Sequence, residues 1–202
     1  MRSRQSPANR QRQPPAVGAT PRRVRASNPV WELASPSPLH TDRLGRALGK
    51  TLRGGETLAL FGPLGAGKTA LVRGIAAGLG APPTVVSSPT FVFIHEYHGR
   101  LPLTHVDLYR VRSTRDAEST GLEEYFSGST VVAIEWADKG LSLLPQDRLE
   151  IQLRHRAVES RTIRLSATGK MSTTLLTEAK QQYARTVTQR RKPLKPKRNA
   201  SS

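Results

Sequence analysis

The chain has 202 residues, no cysteine and a formal net charge of +17. The missing cysteines exclude disulfides, a thiolate nucleophile and thiolate metal sites. There is no apolar run of membrane-spanning length and no signal-peptide core, which points to a soluble cytoplasmic protein without membrane partners.

The charge is concentrated at the two ends. Residues 1–30 hold seven Arg and no acid, and residues 170–202 hold nine basic residues and one acid. The stretch 31–169 keeps 16 basic against 14 acidic residues and reads as an ordinary globular domain. Residues 1–30, rich in Arg, Pro, Ser and Gln, bury too little apolar surface to offset ordering entropy and are expected to be disordered. An organelle transit peptide is the other reading of this Arg-rich, acid-poor start, although the prolines from Pro7 to Pro29 disfavour an amphipathic helix.

Trp31-Glu32-Leu33 opens the predicted fold as a strand, and Ser35-Pro36-Ser37-Pro38 follows as a turn. A helix is expected from Thr41 as N-cap, with Leu44, Ala47 and Leu48 as its apolar stripe. Arg53 to Glu56 turns the chain into a short buried strand, Thr57–Phe61. The loop Gly62-Pro63-Leu64-Gly65-Ala66-Gly67-Lys68-Thr69 comes next, and a helix continues through Ala70, Leu71, Ile75 and Leu79 to a stop at Gly80. Phe91–Tyr97 and Leu101–Asp107 form a predicted hairpin about the turn His98-Gly99-Arg100. Short helices are expected from Ser113 or Thr114 to Ala117 and over Gly121–Phe126. Val131–Ile134 is a continuous apolar run, as a strand covered on both faces requires. Asp138–Leu144 reads as helix or turn, and Leu149–Leu153 with Thr162–Leu165 as a closing hairpin. Residues 170–202 are assigned to a basic, disordered tail in which Leu175–Tyr183 forms at most a weak helix. The alternation of strands and helices predicts an α/β fold of the P-loop NTPase kind, with a mainly parallel sheet flanked by helices and with antiparallel hairpins.

The chemistry starts at Gly62–Thr69, which matches Gly, four residues, Gly-Lys and Ser or Thr. The glycines let backbone N–H groups approach phosphates, Lys68 supplies a cation, and the Thr69 hydroxyl suits Mg²⁺. The helix that follows points its positive end at the anion. Two other predicted strands end in carboxylates, Asp107 and Glu135. Asp107 is open to two readings, a turn residue or a Mg²⁺-site acid, and the phosphate loop favours the second. Glu135 follows four apolar residues directly and either needs a partner or a metal there or is an ordinary strand-end Glu facing water. Trp136 either packs or walls a nucleotide pocket. His105 is either a satisfied strand histidine or a base. Ser87–Phe91, with Thr90, is either a Ser-Pro turn or a segment that responds to a γ-phosphate.

Taken together, Gly62–Thr69, Ser88-Pro89-Thr90-Phe91, His105-Val106-Asp107-Leu108-Tyr109-Arg110, Gly121–Phe126 and Val132-Ala133-Ile134-Glu135-Trp136 resemble the TsaE family in residues and order, over roughly Trp31 to Gly169. The resemblance implies an ATP hydrolase that uses Mg²⁺. It further implies that the protein acts with TsaB and TsaD in threonylcarbamoylation of the tRNA adenosine beside the anticodon. It also implies that Gly62 to Ala70, Thr90 and Trp136 contact nucleotide and that Thr69, Glu135 and Asp107 serve Mg²⁺. Lys68, Asp107 and Glu135 would then be the catalytic set. The long basic ends depart from the compact family pattern and leave direct tRNA contact open. A P-loop small-molecule kinase is the competing reading, with Arg110, Arg112 and Arg115 as its only lid candidates. A third reading is an RNA-binding protein with vestigial nucleotide binding; no aromatic residue interleaves with the terminal basic run to stack on bases.

Overall fold

A computed structural model of the chain describes residues 28–82, Pro89 and 93–189. The N-terminal extension before Asn28, most of the Ser87–Phe91 segment including Thr90, and the basic end from Arg190 lie outside the described residues. In chain order the elements are β1 (Val30–Ser35), α1 (Pro38–Thr51), β2 (Thr57–Phe61), α2 (Lys68–Gly78), β3 (Ile94–Tyr97) and β4 (Leu103–Asp107). There follow α3 (Thr114–Glu118), a 3-10 turn (Leu122–Phe126), β5 (Val131–Glu135), a second 3-10 segment (Ala137–Leu143), β6 (Leu149–His155), β7 (Arg161–Ala167) and α4 (Lys170–Gln189).

The strands form one sheet in the order β1-β7-β6-β2-β5-β4-β3. The central ladders β6–β2, β2–β5 and β5–β4 are parallel, and the outer ones are antiparallel. This is the expected α/β architecture. Its cause is visible in the strands themselves. In β5 every residue is buried, with Val131 and Ala133 facing one core and Val132 and Ile134 the other. A strand covered on both faces belongs in the centre. The first core lies under α1, α2 and α4, and the second under α3 and the two 3-10 segments.

Two helices of the first layer touch through backbone. A Cβ on Gly45 of α1 would lie 2.5 Å from the Leu71 carbonyl oxygen, and one on Gly49 would lie 2.2 Å from that of Ile75. Gly74 and Gly78 of α2 face the Asp42 and Arg46 carbonyls at 2.6 Å in the same sense. Hydrogen is the only side chain that lets the axes come so close. Arg100 then reaches from beyond β3 and donates to the Gly49 and Leu52 carbonyls at 3.1 and 2.7 Å, at the negative end of α1.

The structure corrects two expectations. Thr41 is not the cap of α1. The helix begins at Pro38 behind Ser37, where proline's missing N–H costs nothing, and the Thr41 hydroxyl lies inside at 2.8 Å from Ser35 Oγ. The larger correction concerns residues 170–189, the described part of the stretch assigned to a tail. The fold does not end at Gly169, because α4 runs for 20 residues and buries Leu175, Leu176 and Ala179. Its first turn is capped by a distant acid: Asp147 accepts from Met171 N at 2.7 Å and from Ser172 N at 3.0 Å. Near its far end Tyr183 meets Trp31 edge to face at 5.7 Å between centroids. A sparse apolar stripe makes a marginal helix in isolation, and the tertiary contacts supply what local propensity lacks.

Two outcomes follow for stability. Gly49→Ala is expected to lower unfolding free energy by about 1–3 kcal/mol through overpacking, read as a lower urea midpoint. A chain ending at Gly169 loses the burial of Leu175 and Leu176, about 3 kcal/mol or more. Equal urea midpoints for that truncation and the full chain would show that α4 does not belong to the cooperative unit.

Candidate functional site

Three parallel strands bring the site together. Leu60 of β2 pairs with Glu135 of β5, and Glu135 pairs with Asp107 of β4. One residue beyond Leu60 the chain leaves β2 for the glycine loop, so both carboxylates end beside it. Glu135 and Asp107 are only 3% and 2% exposed. A carboxylate so buried needs hydrogen-bond donors. Glu135 Oε1 accepts from Thr69 Oγ1 at 2.7 Å and pairs with His105 Nε2 at 2.9 Å. Asp107 Oδ1 accepts from Tyr109 N at 2.9 Å. Asp107 thus makes the hydrogen bond of a turn residue, and it also lines the cleft described next.

The loop is shaped by glycine where other residues would be strained. Gly62, Gly65 and Gly67 have φ of 140°, 76° and 99°. At Gly62 a Cβ would also meet the Leu153 carbonyl oxygen at 2.4 Å. Ala66 is fully buried and anchors the loop, whereas Leu64 at its tip is 74% exposed. Pro63 is exposed beside it, and Ala70 is half-buried in the first turn of α2. α2 starts at Lys68 behind left-handed Gly67, with no side-chain cap and no acid in its first turn. An uncapped helix start of this kind leaves N–H groups for an anion.

Lys68 Nζ donates to the Gly62 and Pro63 carbonyls at 2.7 and 3.0 Å and lies 3.8 Å from the centroid of the Trp136 ring. Burial pushes its ammonium below the usual lysine value, and the carboxylates of Glu135, Asp107 and Asp138 oppose that shift. Trp136 turns the chain out of β5 with φ 57° and ψ 42°, a left-handed conformation that is uncommon outside glycine. Its ring stands 5.0 Å from that of Tyr109. A cleft of about 400 Å³ opens between the loop, Lys68, Thr69, the two carboxylates and the Trp136 and Tyr109 rings.

The donor set fits a nucleotide and a shared Mg²⁺. One hydroxyl and two carboxylates are too few for a cation cage of protein alone, and among the described residues no group of three or more His, Cys, Asp or Glu side chains forms one. Mg²⁺ commonly takes one or two carboxylates and completes its shell with phosphate oxygens and water. Thr69, Glu135 and Asp107 are the residues that would hold it, while Lys68 and the loop N–H groups would face the phosphates.

The tertiary structure adds residues that motif reading missed. The hairpin of β6 and β7 leans on the loop. Arg161 Nε donates to the Ala66 carbonyl at 3.3 Å, and His155 Nε2 lies 3.4 Å from that of Leu64. The two residues pair across the hairpin. About 90 residues separate them from the loop, and no local pattern marks them. Arg110, Arg112 and Arg115, considered for a kinase lid, are exposed and do not line the cleft.

The family model described as Threonylcarbamoyl adenosine biosynthesis protein TsaE matches residues 35–163. A Bacillus subtilis (strain 168) relative named tRNA threonylcarbamoyladenosine biosynthesis protein TsaE is 39% identical over 140 residues, which is 69% of this chain and 85% of the relative. A Treponema pallidum (strain Nichols) relative of the same name is 41% identical over 129 residues, 64% of this chain and 95% of the relative. The crystal structure of Bacillus subtilis YdiB superposes with a TM-score of 0.65 at 32% identity, covering 77% of this chain and 97% of YdiB. Sequence and P-loop fold agree, and the chain belongs to the TsaE family of threonylcarbamoyl adenosine biosynthesis proteins.

Proposed function

We propose that this protein binds ATP with Mg²⁺ and hydrolyses it in support of threonylcarbamoylation of the tRNA adenosine beside the anticodon, acting in the cytoplasm with TsaB and TsaD homologues. The observation that carries the reading is the 2.7 Å bond from Thr69 Oγ1 to Glu135 Oε1. It joins the start of the loop helix to the strand-end acid, the pair expected to share one cation beside a triphosphate.

Each residue has a distinct task in this reading. Loop N–H groups and Lys68 orient the phosphates, with Lys68 exchanging the Gly62 and Pro63 carbonyls for phosphate oxygens. Thr69 offers a lone pair of its hydroxyl oxygen while its O–H goes on donating to Glu135. Glu135 and Asp107 align an attacking water or its shell, and Trp136 walls the cleft. Bound Mg²⁺ would neutralise charge that develops on the phosphate oxygens. Positioning and electrostatics are most of what phosphoryl transfer asks of a protein. Among the described residues no arginine lines the cleft, and Arg161 beside the loop has its Nε on the Ala66 carbonyl. Slow turnover by the chain alone, accelerated by the TsaB–TsaD pair, is the consequence.

Phosphate release and ATP titration with varied Mg²⁺ test the assignment. Lys68→Ala is expected to weaken ATP binding together with hydrolysis, since the charge serves both ground and transition states. Glu135→Ala and Asp107→Ala are expected to keep much of the nucleotide affinity and lose hydrolysis, by about 10²- to 10³-fold for Glu135. Parent-like hydrolysis by Glu135→Ala at saturating Mg²⁺ would contradict its role. Addition of TsaB–TsaD is expected to raise the parent's rate, and an unchanged rate would remove the coupling from the proposal.

A further inference from the structure

His105 is a fully buried titratable group that this mechanism leaves without a task. It sits in the middle of β4 with 0% exposure. In register it faces Ala133, two residues before Glu135, so its side chain lies on the sheet face that also carries Glu135. The ring reaches along that face and meets Glu135 Oε1 through Nε2 at 2.9 Å. Its other nitrogen, Nδ1, is buried and has no hydrogen-bond partner among the described residues.

These two facts assign the ring's hydrogen. An ionised carboxylate only accepts, so the bond to Glu135 requires N–H at Nε2. A hydrogen on Nδ1 would be a buried donor with no acceptor, which is expensive, whereas a bare lone pair is the milder loss. His105 and Thr69 therefore both donate to the same oxygen, Oε1. Oε2 has no donor among the described residues, on a side chain that lines the cleft.

We infer that His105 is a positioning residue. Its Nε2–H anchors Oε1 of Glu135 from inside the sheet, beside the Thr69 hydroxyl, and thereby keeps Oε2 presented to the Mg²⁺–nucleotide. The inference rests on the reading of Glu135 as the acid of that site. It gives the histidine an orienting role and no part in proton transfer.

Two measurements test it, and the first needs no nucleotide. In the ¹⁵N-histidine spectrum of the full chain, the resonances lost in His105→Gln identify this ring. They are expected to show the Nε2–H tautomer, with the Nε2 shift moving in Glu135→Gln. An Nδ1–H tautomer, or shifts indifferent to Glu135→Gln, would overturn the assignment. The second compares His105→Gln, whose amide nitrogen reaches the place of Nε2, with His105→Asn, whose amide stops short of Glu135. Both bury an amide, so a space-filling histidine predicts equal effects. The positioning role predicts that His105→Asn raises the Mg²⁺ concentration required for ATP binding by about ten- to hundredfold. His105→Gln should recover most of that loss, and ATP binding without Mg²⁺ should be unchanged in both. Equal Mg²⁺ requirements in the two variants would sink the inference. A parent chain that fails to bind ATP would count against the functional reading alone, and the tautomer would still decide whether His105 anchors Glu135.

Discussion

The site depends on one constraint, the parallel register that sets Leu60, Glu135 and Asp107 side by side across β2, β5 and β4. A slip of one residue would turn both acids to the opposite face of the sheet, away from Thr69. The register is held by the strands' own side chains, because Leu58, Leu60, Val131 and Ala133 pack into one core while Ala59, Val132 and Ile134 pack into the other. Hydrophobic burial on two faces thus settles where two charges end. The charges are tolerated because donors meet them: Thr69 and His105 for Glu135, and the Tyr109 backbone for Asp107. Removing one partner of a buried carboxylate leaves most of its desolvation penalty uncompensated.

The helix layer aims the other half of the site. α2 must point its first turn at the strand ends, and its direction is set by backbone contact with α1 through Gly45, Gly49, Gly74 and Gly78. α4 then covers the same layer, with Leu175, Leu176 and Ala179 in the shared core and Asp147 holding its first turn. The β6–β7 hairpin supports the loop from the side through His155 and Arg161. The loop is therefore braced by two strands distant from it in sequence, β6 and β7, beside its exposed run Pro63 to Gly65.

Net charge says little about this site. Seven of the basic residues precede Asn28 and six follow Gln189, with no acid in either stretch. At the cleft the cation Lys68 faces the carboxylates of Glu135, Asp107 and Asp138, so the local charge is opposite in sign to that of the whole chain. A basic protein of this kind owes its charge to its ends, while the chemistry is carried by a few buried, paired groups.

The amino-acid sequence by itself determined the local units. Strand, glycine loop and helix over Thr57–Gly78, the buried run that ends at Glu135, and the acid after β4 are all legible, because each is specified by residues within a dozen positions of one another. The motifs in their order were enough to indicate the family. What the sequence could not show is what lies far apart along the chain. The bond between Thr69 and Glu135 spans 66 residues, that between His105 and Glu135 spans 30, and Arg161 meets the loop across 95. α4 read as a tail because its apolar stripe is thin and its cap, Asp147, lies 24 and 25 residues before the N–H groups it receives. The task of Gly45, Gly49, Gly74 and Gly78 is visible only where the second helix lies against the first. Periodicity and propensity act over a few residues. Register, backbone contact and the partners of buried charges belong to the packed sheet, and only the tertiary structure decided them.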